Sequence, residues 1–567
     1  MHQLLLFLTV LWLSAAACSP SAPVGTTGAA DQAPARTGPT TLRSILKVEP
    51  ASLAKKPLEG SGISIDHGTS LFNATLDQLD AQEVARPYLA EALPTLDTDS
   101  WKVFPDGRME TTWRLRPNLT WHDRTPLDAE DFVFAWRVYN TPELGVASAR
   151  PNVLMEDASA PDSRTLVIRW SRPYPDAASM DEDFQALPRH LLEAPFRQGD
   201  AESFRNHAFW KAQYVGLGPY RLERWEPGAF IEGVAFDGYV RGRPKIDRVI
   251  VRFMPDENTA LTNLLAGEVH FATDRTIRFE QAQILKREWG PTSGGTTVLT
   301  PAQPRVLYFQ TRPELSRTPA LLDVRGRRAV AHAMDRRALN EGLFNGDGGI
   351  TEVFITGTFP AYAELDRTIT KHPIDPRRTE QLLGELGYMK GGDGFFSRAG
   401  ERLTVDFRQE AGDQTQREMS IITDSWRTAG IESTVSLISS TQLRDLDYRH
   451  AFSGVYSGGT SAAARGGINA VTAYRSPPGG ITLNMGNYAG WSNPDYDRIH
   501  DTFLATLDQG ERNRQVIQMV KMLTDELPMT VILFNYNVSA FSSAVRGADP
   551  TAFDTLINWN IHEWELR

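Results

Sequence analysis

The sequence has little cysteine, since Cys18 is the single cysteine in 567 residues. That count excludes an internal disulfide, a zinc site built from cysteines and a thiol–disulfide pair. An excess of positive charge is also missing: 59 Lys and Arg stand against 70 Asp and Glu, a formal net charge of −11. This balance argues against a nucleic-acid partner, because such a partner normally requires a basic face. Beyond the N-terminal leader, no apolar run reaches the ~20 residues that a transmembrane helix needs.

The motifs of common enzymes are absent as well. There is no G-x-x-x-x-G-K-[ST] phosphate loop, no G-x-S-x-G nucleophile elbow and no H-E-x-x-H metal motif. His562-Glu563 lacks a second histidine, and His122-Asp123 is more typical of a turn than of a base with its orienting acid. The sequence therefore favours a binding protein that uses no cofactor or metal. An extracytoplasmic hydrolase is the weakest alternative.

The single cysteine marks a predicted attachment point. Cys18 directly follows an apolar run, Leu4–Leu13, and the small residues Ser14-Ala15-Ala16-Ala17. An apolar run that ends in small residues is the pattern of a cleaved export signal. Small residues before a cysteine resemble the bacterial lipobox, in which the cysteine is acylated and becomes the mature N-terminus. The alternative is an ordinary signal peptide that is cut nearby, with Cys18 incidental.

The segment after Cys18 predicts a spacer. It is rich in Ser, Pro, Ala, Gly and Thr, a composition that cannot bury enough apolar surface to fold. We therefore expect a lipoprotein signal peptide at 1–17 and a flexible tether at 18–44. The expected location is periplasmic or at the cell surface, held at a membrane by the lipid anchor.

The remaining ~520 residues predict a globular body of at least two lobes, because one hydrophobic core rarely supports that length. Hydrophobic residues are 41% and charged residues 23% of the chain, as in ordinary globular proteins. Strand-like segments such as 166–170 alternate with helix-like ones such as 324–341 and 416–429, which indicates mixed α/β lobes. Residues 456–480 are rich in Gly, Ser, Ala and Pro and predict a long loop.

Five segments in order resemble one protein family. The segment Trp113–Phe134 reads WRLRPNLTWHDRTPLDAEDFVF, and Arg124 stands where the family pattern has glycine. The others are Gly216-Leu217-Gly218-Pro219-Tyr220, Asp323–Arg336, Gly490–Asp497 and Asp525-Glu526-Leu527-Pro528. Together they resemble the family-5 solute-binding proteins of bacterial ABC importers, which include dipeptide-, oligopeptide- and nickel-binding proteins. Most of these motif residues are expected to hold the fold rather than touch a ligand.

The resemblance implies a two-lobed periplasmic-binding-protein fold (class II, large type with an extra subdomain), with mixed sheets and a hinge. Lobe I would comprise 45–300 and 534–567, and lobe II 301–533, with crossings near Thr300 and Ile532. A solute would bind in the cleft as the lobes close, and the closed form would dock on an ABC permease with its ATPase. The protein is expected to act as a monomer.

The resemblance also implies ligand-binding residues in lobe II, and here the chain departs from the family. Peptide-binding members use a Trp-x-x-Asp-type segment, whose carboxylate pairs with the ligand's amino terminus. Gly459 falls where that acid is expected, and no acidic residue occurs between Asp447 and Asp495. The expected ligand-binding residues are Tyr308, Gln310, Tyr456, Ser457, Gly459, Thr460 and Arg465. Tyr308 and Gln310 are equally compatible with the core, and Arg465 with a solvated surface.

The leading hypothesis is a receptor that delivers peptides or peptide-like solutes to an importer. A non-peptide solute such as a sugar or an opine is an alternative, because Gly459 lacks a carboxylate. A signalling lipoprotein that kept the same fold is another.

Overall fold

The structure, a computed structural model, describes residues 38–567 apart from 59–66, 147–149, 181–182, 273–275, 440–441, 443–444, 460–486, 549–550 and 552–555. The strands in this part of the chain are β1 (Thr41–Leu46), β2 (Asp77–Leu79), β3 (Ala85–Pro87), β4 (Trp101–Val103), β5 (Met109–Arg114), β6 (Met155–Asp162), β7 (Thr165–Trp170), β8 (Tyr220–Glu226), β9 (Phe230–Ala235), β10 (Arg248–Phe253), β11 (Phe271–Ala272), β12 (Gly295–Phe309), β13 (Met389–Lys390), β14 (Phe396–Arg398), β15 (Glu401–Arg402), β16 (Thr404–Glu410), β17 (Glu432–Ile438), β18 (Val455–Gly459), β19 (Met529–Ser542), β20 (Val545–Arg546) and β21 (Glu565–Leu566).

Helices pack on both faces of the large sheet. They are α1 (His67–Ser70), α2 (Ala129–Tyr139), α3 (Arg189–Arg197), α4 (Ala201–Arg205), α5 (Glu257–Leu265), α6 (Phe279–Trp289), α7 (Val324–His332), α8 (Arg336–Phe344), α9 (Tyr362–Thr368), α10 (Pro376–Glu385), α11 (Asp413–Ala429), α12 (Leu446–His450), α13 (Pro494–Phe503) and α14 (Gln509–Glu526). Short 3₁₀ turns lie at Pro142–Leu144, Asn152–Leu154, Ala208–Trp210, Pro319–Leu322 and Ile561–Glu563.

Two long antiparallel strands, β12 and β19, connect the halves of the molecule. Among the described residues they form the centre of a ten-stranded sheet with the order β17-β16-β18-β12-β19-β11-β1-β10-β9-β8. At one end, Phe271 and Ala272 of β11 pair with β19, and at the other end β18 pairs with residues Arg305 to Phe309 of β12. The register of β12 against β19 shifts between Pro301 and Pro304. Pro301 and Pro304 have no backbone N–H to donate, so these two prolines interrupt the hydrogen bonding of the sheet between its two halves.

The buried side chains follow the same division. One group of hydrophobic cores contains residues 42–289 together with 538–564, and defines lobe I. A second group defines lobe II. It contains one core with residues 306–531 on one face of the sheet and another with residues 307–533 on the other face. Phe279 of α6 also packs into the second of these cores. The predicted two-lobed α/β fold is confirmed by the solved structure compared below.

Three sequence-based boundaries differ from the structure. The predicted tether at 18–44 is too long, because β1 begins at Thr41 and pairs with β10 on one side and β11 on the other. Leu42 and Ile45 are fully buried there, and their burial favours a central strand over a spacer. The rest of the tether, 18–37, lies outside the described residues.

The predicted helix 324–341 is two helices. Helix α7 ends at His332 and α8 begins at Arg336, because Asp335 caps α8 by accepting from the N–H groups of Arg337 and Ala338. The predicted loop 456–480 begins too early, since Val455–Gly459 is a strand; residues 460–486 lie outside the described residues.

Among the described residues, no helix combines the length and the apolar character that a membrane crossing needs.

Candidate functional site

Parallel strands of both lobes end at the same level of the molecule, next to the register shift of β12. In lobe I, strands β1, β10 and β11 run in the direction of β12 and end at Leu46, Phe253 and Ala272. In lobe II, strands β16, β17 and β18 run the opposite way and end at Glu410, Ile438 and Gly459. The carboxyl ends of parallel strands are where open α/β sheets bind ligands. The two lobes thus direct the carboxyl ends of their strands at each other, and we call the space between these edges the cleft.

A buried ion pair lies directly behind the lobe II edge. Nε and Nη2 of Arg305 donate to the two carboxylate oxygens of Glu418, at 2.6 and 2.9 Å. Ser457 donates its hydroxyl to Glu418 at 2.7 Å and accepts from Arg305 at 2.8 Å, and the amide of Gln409 donates to Glu418 at 3.1 Å. Burial alone disfavours the charged guanidinium, but the Glu418 carboxylate outweighs it and raises the pKa of Arg305.

At the lobe II edge, the exposed side chain beside the ion pair is the neutral amide of Gln303. The side chain of Gln303 lies against Gly459: a Cβ on Gly459 would be 2.4 Å from Cδ and Oε1 of Gln303, and 2.7 Å from its Nε2. Gln303 is exposed and sits inside the Pro301–Pro304 irregularity. We call these residues together the cleft corner: Gln303, Arg305, Glu418, Ser457 and Gly459.

Tyr308, Tyr456 and Gly459, three residues predicted to bind ligand, come together in the structure. Tyr308 and Tyr456 are opposite each other in the ladder with ring centroids 6.1 Å apart, and Tyr308 donates its hydroxyl to the carbonyl of Gly459 at 3.2 Å. Both rings are buried, and burial raises the pKa of Tyr456 to about 12. Tyr488 packs on both rings. These tyrosines support the cleft edge from behind.

Gln310 lies in the lobe II core. It is fully buried, its amide donates to the carbonyls of His450 and Phe452, and its oxygen accepts from Arg312. The sequence left Gln310 compatible with either a ligand-binding position or the core, and the structure places it in the core. Ser457 is also buried and its hydroxyl is used by the ion pair. Thr460 and Arg465 lie outside the described residues, so their ligand-binding roles stay predictions.

The lobe I edge of the cleft carries a partly exposed charge network. Lys47, one residue beyond β1, pairs with Glu257 at 2.8 Å, and Arg278 pairs with the same carboxylate at 3.1 Å. Asp256 caps the helix α5 that carries Glu257. This carboxylate is therefore shared between two cations and is not free to bind a third.

Polar contacts join the lobes on two sides. On one side Glu280 of α6 pairs with Arg417 of α11, and Gln283 donates to Asp347 at 3.2 Å. On the other side Arg512 of α14 lies 3.5 Å from Asp176 of lobe I. The Glu280–Arg417 pair is exposed, and exposed ion pairs contribute little to stability, so this contact can form and break as the lobes move. Arg512 is buried, so solvent ions screen its contact with Asp176 less.

The segment that carries the strongest family motif forms a buried network in lobe I. His122 accepts from the N–H of Gly216 at 3.1 Å through Nδ1 and contacts the carbonyl of Gly218 at 3.0 Å through Nε2. Asp131 accepts from the indole of Trp121 and from the backbone N–H groups of Asp128 and Arg189. Burial lowers the pKa of His122 to about 4 and raises that of Asp131. We call this set the motif network: Trp121, His122, Asp131, Gly216 and Gly218.

Two details of the motif have physical reasons. A Cβ on Gly218 would lie 2.4 Å from the backbone of Asn73, so the chain approaches too closely for any side chain. Arg124, which replaces the family glycine, has a φ of 73° in the left-handed region. Its guanidinium lies 4.9 Å from the centre of the Phe236 ring, a cation–π contact that offsets part of the backbone strain.

Sequence reasoning missed Gln303, Arg305 and Glu418. The flanking Pro301 and Pro304 are the signal for Gln303, because two prolines interrupt a strand. Arg305 is a charge within an apolar strand, a pattern typical of a buried pair. Nothing in the sequence connects it to Glu418, which is 113 residues away. Within the described ranges, no group of three or more His, Cys, Asp or Glu side chains is placed to hold a metal ion.

Comparison with known proteins gives a consistent result. The sequence profile of the bacterial extracellular solute-binding proteins, family 5 (middle), matches residues 91–476. An ABC transporter protein of Brucella ovis, named for peptide binding, is 24% identical over 294 residues, and the match spans about half of each chain (51%). The oligopeptide-binding protein AppA of Bacillus subtilis is 20% identical over 487 residues, 81% of both chains.

The fold is shared with solved structures. The crystal structure of NikA from Brucella suis in complex with Fe(III)-EDTA superposes with a TM-score of 0.76 at 17% identity. It covers 93% of this chain and 100% of the NikA chain.

Proposed function

Because this chain belongs to the family-5 bacterial extracellular solute-binding proteins, we propose that it is the receptor of an ABC importer, which captures a peptide or peptide-like solute in its cleft. The observation that carries this proposal is the meeting of the carboxyl strand ends of both lobes at one level. A solute held there contacts both lobes. It stabilises the closed arrangement by the difference between its binding free energies for the closed and the open arrangement.

The geometry supports closure by bending at the β12–β19 connection. This connection contains the register shift at Pro301–Pro304, and few backbone elements cross it in the described residues. Closure excludes water from the cleft, which strengthens each polar contact with the solute. No step of this cycle breaks a bond in the solute, so we propose that the protein is not an enzyme.

Peptides are the proposed ligand class, because relatives in the family are named for peptide or oligopeptide binding. NikA shows that the same fold also holds a metal chelate. Non-peptide solutes are the second candidate ligand class, because Gly459 has no carboxylate to pair with the amino terminus of a peptide.

We further propose that acylated Cys18 tethers a monomeric receptor outside the cytoplasm, beside the permease. Cys18→Ser should release the protein from the membrane fraction without changing solute affinity in detergent. If the variant stays in the membrane fraction, the proposal of a lipid anchor at Cys18 is wrong.

Native mass spectrometry of the gently purified protein tests the function. We expect a co-purified peptide-sized solute that leaves unchanged on mild activation and whose addition raises the melting temperature. If no solute is ever found and no compound of a peptide and metabolite library shifts melting, the receptor function is wrong. If the added compound is converted, the protein is an enzyme.

A further inference from the structure

The lobe I part of β12 forms an uncovered edge of the large sheet. Among the described residues, β19 pairs with one side of β12 in both lobes, but β18 covers the other side only from Arg305 to Phe309. Proteins usually protect such an edge with charged residues, with proline or with a covering segment. Residues 295–299 read GTTVL and contain neither a charge nor a proline, so this edge is open to another strand.

The backbone of this edge directs hydrogen-bonding groups outward. The N–H of Ser543 donates to the carbonyl of Gly294 at 2.8 Å, which fixes the alternation of the antiparallel ladder. By this alternation, Gly295, Thr297 and Leu299 point their N–H and C=O groups away from β19. No backbone hydrogen bond from another described segment reaches these three residues. An extended segment can therefore pair with them as an additional strand.

A cavity lies on each face of the sheet beside this edge. The larger cavity, about 590 Å³, lies between β12, the end of β19 and β20, and its lining includes Thr296, Val298 and Arg546. The smaller cavity, about 290 Å³, lies between β12 and α6, and its lining includes Thr297 and Lys286. Successive side chains of a strand point to opposite faces. A strand added at this edge would therefore place alternate side chains in the two cavities.

The charge of both cavities is positive. Among the described residues that line them, Arg546 is the charged residue of the larger cavity and Lys286 that of the smaller, and both side chains are exposed. Glu565, which is opposite Arg546 in its ladder, is already paired with a lysine. Asp347 of lobe II accepts from Gln283 of α6 but does not belong to the lining. Complementary charge on a partner is therefore acidic.

We propose that an extended acidic segment of a partner protein pairs with β12 at residues 295–299, adds a strand to the sheet and places carboxylates beside Arg546 and Lys286. A second copy of this chain does not fit, because pairing edge to edge would bring the cations of both copies together. The surface lies along lobe I, before the register shift at Pro301–Pro304. It is separate from the cleft and goes beyond the proposed receptor function.

A pair of labelled nonapeptides tests the charge by fluorescence anisotropy with the full-length protein. One consists of Val and Thr with one Glu on each face of the strand, and the other carries Lys in place of Glu. We expect the Glu peptide to bind at least about tenfold more tightly, because like charges placed together are costly. The double variant Lys286→Glu, Arg546→Glu should reverse this preference. Arg427→Glu with Arg498→Glu, an equal charge change on exposed residues of lobe II, should leave it unchanged.

The strand pairing is tested at Thr297. Thr297→Pro removes an outward N–H and no hydrogen bond to β19, so it should weaken binding of the Glu peptide at least about tenfold. Thr297→Ala keeps the N–H and should bind the peptide within about twofold of the wild type. N-methylation of every second peptide residue leaves the protein unchanged. Methylation of the residues that face β12 should abolish binding, and methylation of the alternate residues should be tolerated.

Three results would overturn the proposal. The first is wild-type affinity in Thr297→Pro and in the double charge variant while both melt normally, since the peptide would then lie elsewhere, for example in the cleft. The second is no binding of the Glu peptide by the wild type at millimolar concentration. The third is a wild-type dimer in analytical ultracentrifugation that Thr297→Pro dissociates, because the occupant of the edge would then be a second copy.

Discussion

The motif network of lobe I and the cleft corner of lobe II are built differently, although both contain buried polar groups. In the motif network every partner is a backbone group or a ring N–H, and the whole set is sealed inside lobe I. In the cleft corner the buried Arg305–Glu418 pair supports an exposed surface formed by Gln303 and Gly459. The first network fixes the fold, and the second supports a surface whose chemistry can change without changing the fold.

This difference explains where the family pattern is kept and where it is lost. The close backbone approach at Gly218 leaves no alternative residue. At Gly459 the neighbouring atoms belong to a flexible, exposed side chain, so other residues are sterically accessible there. Four changes to the protein test this comparison, from the largest expected effect to the smallest.

The largest effect is expected from Glu418→Ala at the base of the cleft corner. It leaves the Arg305 guanidinium buried without its partner, so the free energy of unfolding should fall by about 3–5 kcal/mol. Urea denaturation measures this. Replacing the exposed partner of Arg427 in the same helix, Asp424→Ala, is the control and should change stability by less than about 0.5 kcal/mol. Equal losses for both variants would show that the buried pair has no special role.

The next effect is a pH dependence of stability that comes from His122. Its folded pKa of about 4 lies below the unfolded value near 6.5, so the unfolded chain binds the proton first as the pH falls. The stabilisation by neutral His122 is complete above pH ~6.5 and is lost towards pH ~4, by up to ~3 kcal/mol. Denaturation of wild type and His122→Gln between these pH values should therefore show a stability difference that shrinks on acidification. A constant difference would contradict the motif network as described.

A smaller loss is expected for Asp131→Asn. Whichever way the amide turns, its NH₂ group faces donors: either the N–H groups of Trp121 and Asp128 or the backbone N–H of Arg189. We expect a loss of about 2 kcal/mol in urea denaturation, because buried donors lose their acceptor. Asp157→Asn, at a surface position of the same lobe, is the matched control. An unchanged stability would mean that the motif is retained for a reason other than folding.

The smallest change in stability is expected for Gln303→Ala, within about 0.5 kcal/mol, because the side chain is exposed. Its effect should appear in solute affinity instead, measured by isothermal titration with the co-purified solute. A large loss of stability with unchanged affinity would make Gln303 a structural residue and would remove the contrast between the two regions.

The sequence was sufficient for the features that depend on local pattern. In the structure Asp128 and Asp131 form a capping box at the start of α2, and a left-handed Gly267 lies two residues after the end of α5 at Leu265. Both features are of the kind that residue types and spacing indicate. The family and the two-lobed fold followed from ordered motifs. The sequence could not show that Gln303 faces Gly459 or that Arg305 pairs with Glu418, because these contacts depend on the register of strands distant in the chain. Burial of Gln310 is of the same kind, since strand alternation alone does not say which face is covered.

The most direct test of the account is a distance measurement across the cleft. Nitroxide labels at Ser171→Cys of lobe I and Arg514→Cys of lobe II, in a Cys18→Ser background, flank the contact between Asp176 and Arg512. Double electron–electron resonance should show a broad or longer distance distribution without solute, and a narrow short one when the co-purified solute is added. An identical distribution with and without bound solute would contradict closure of the two lobes over a ligand.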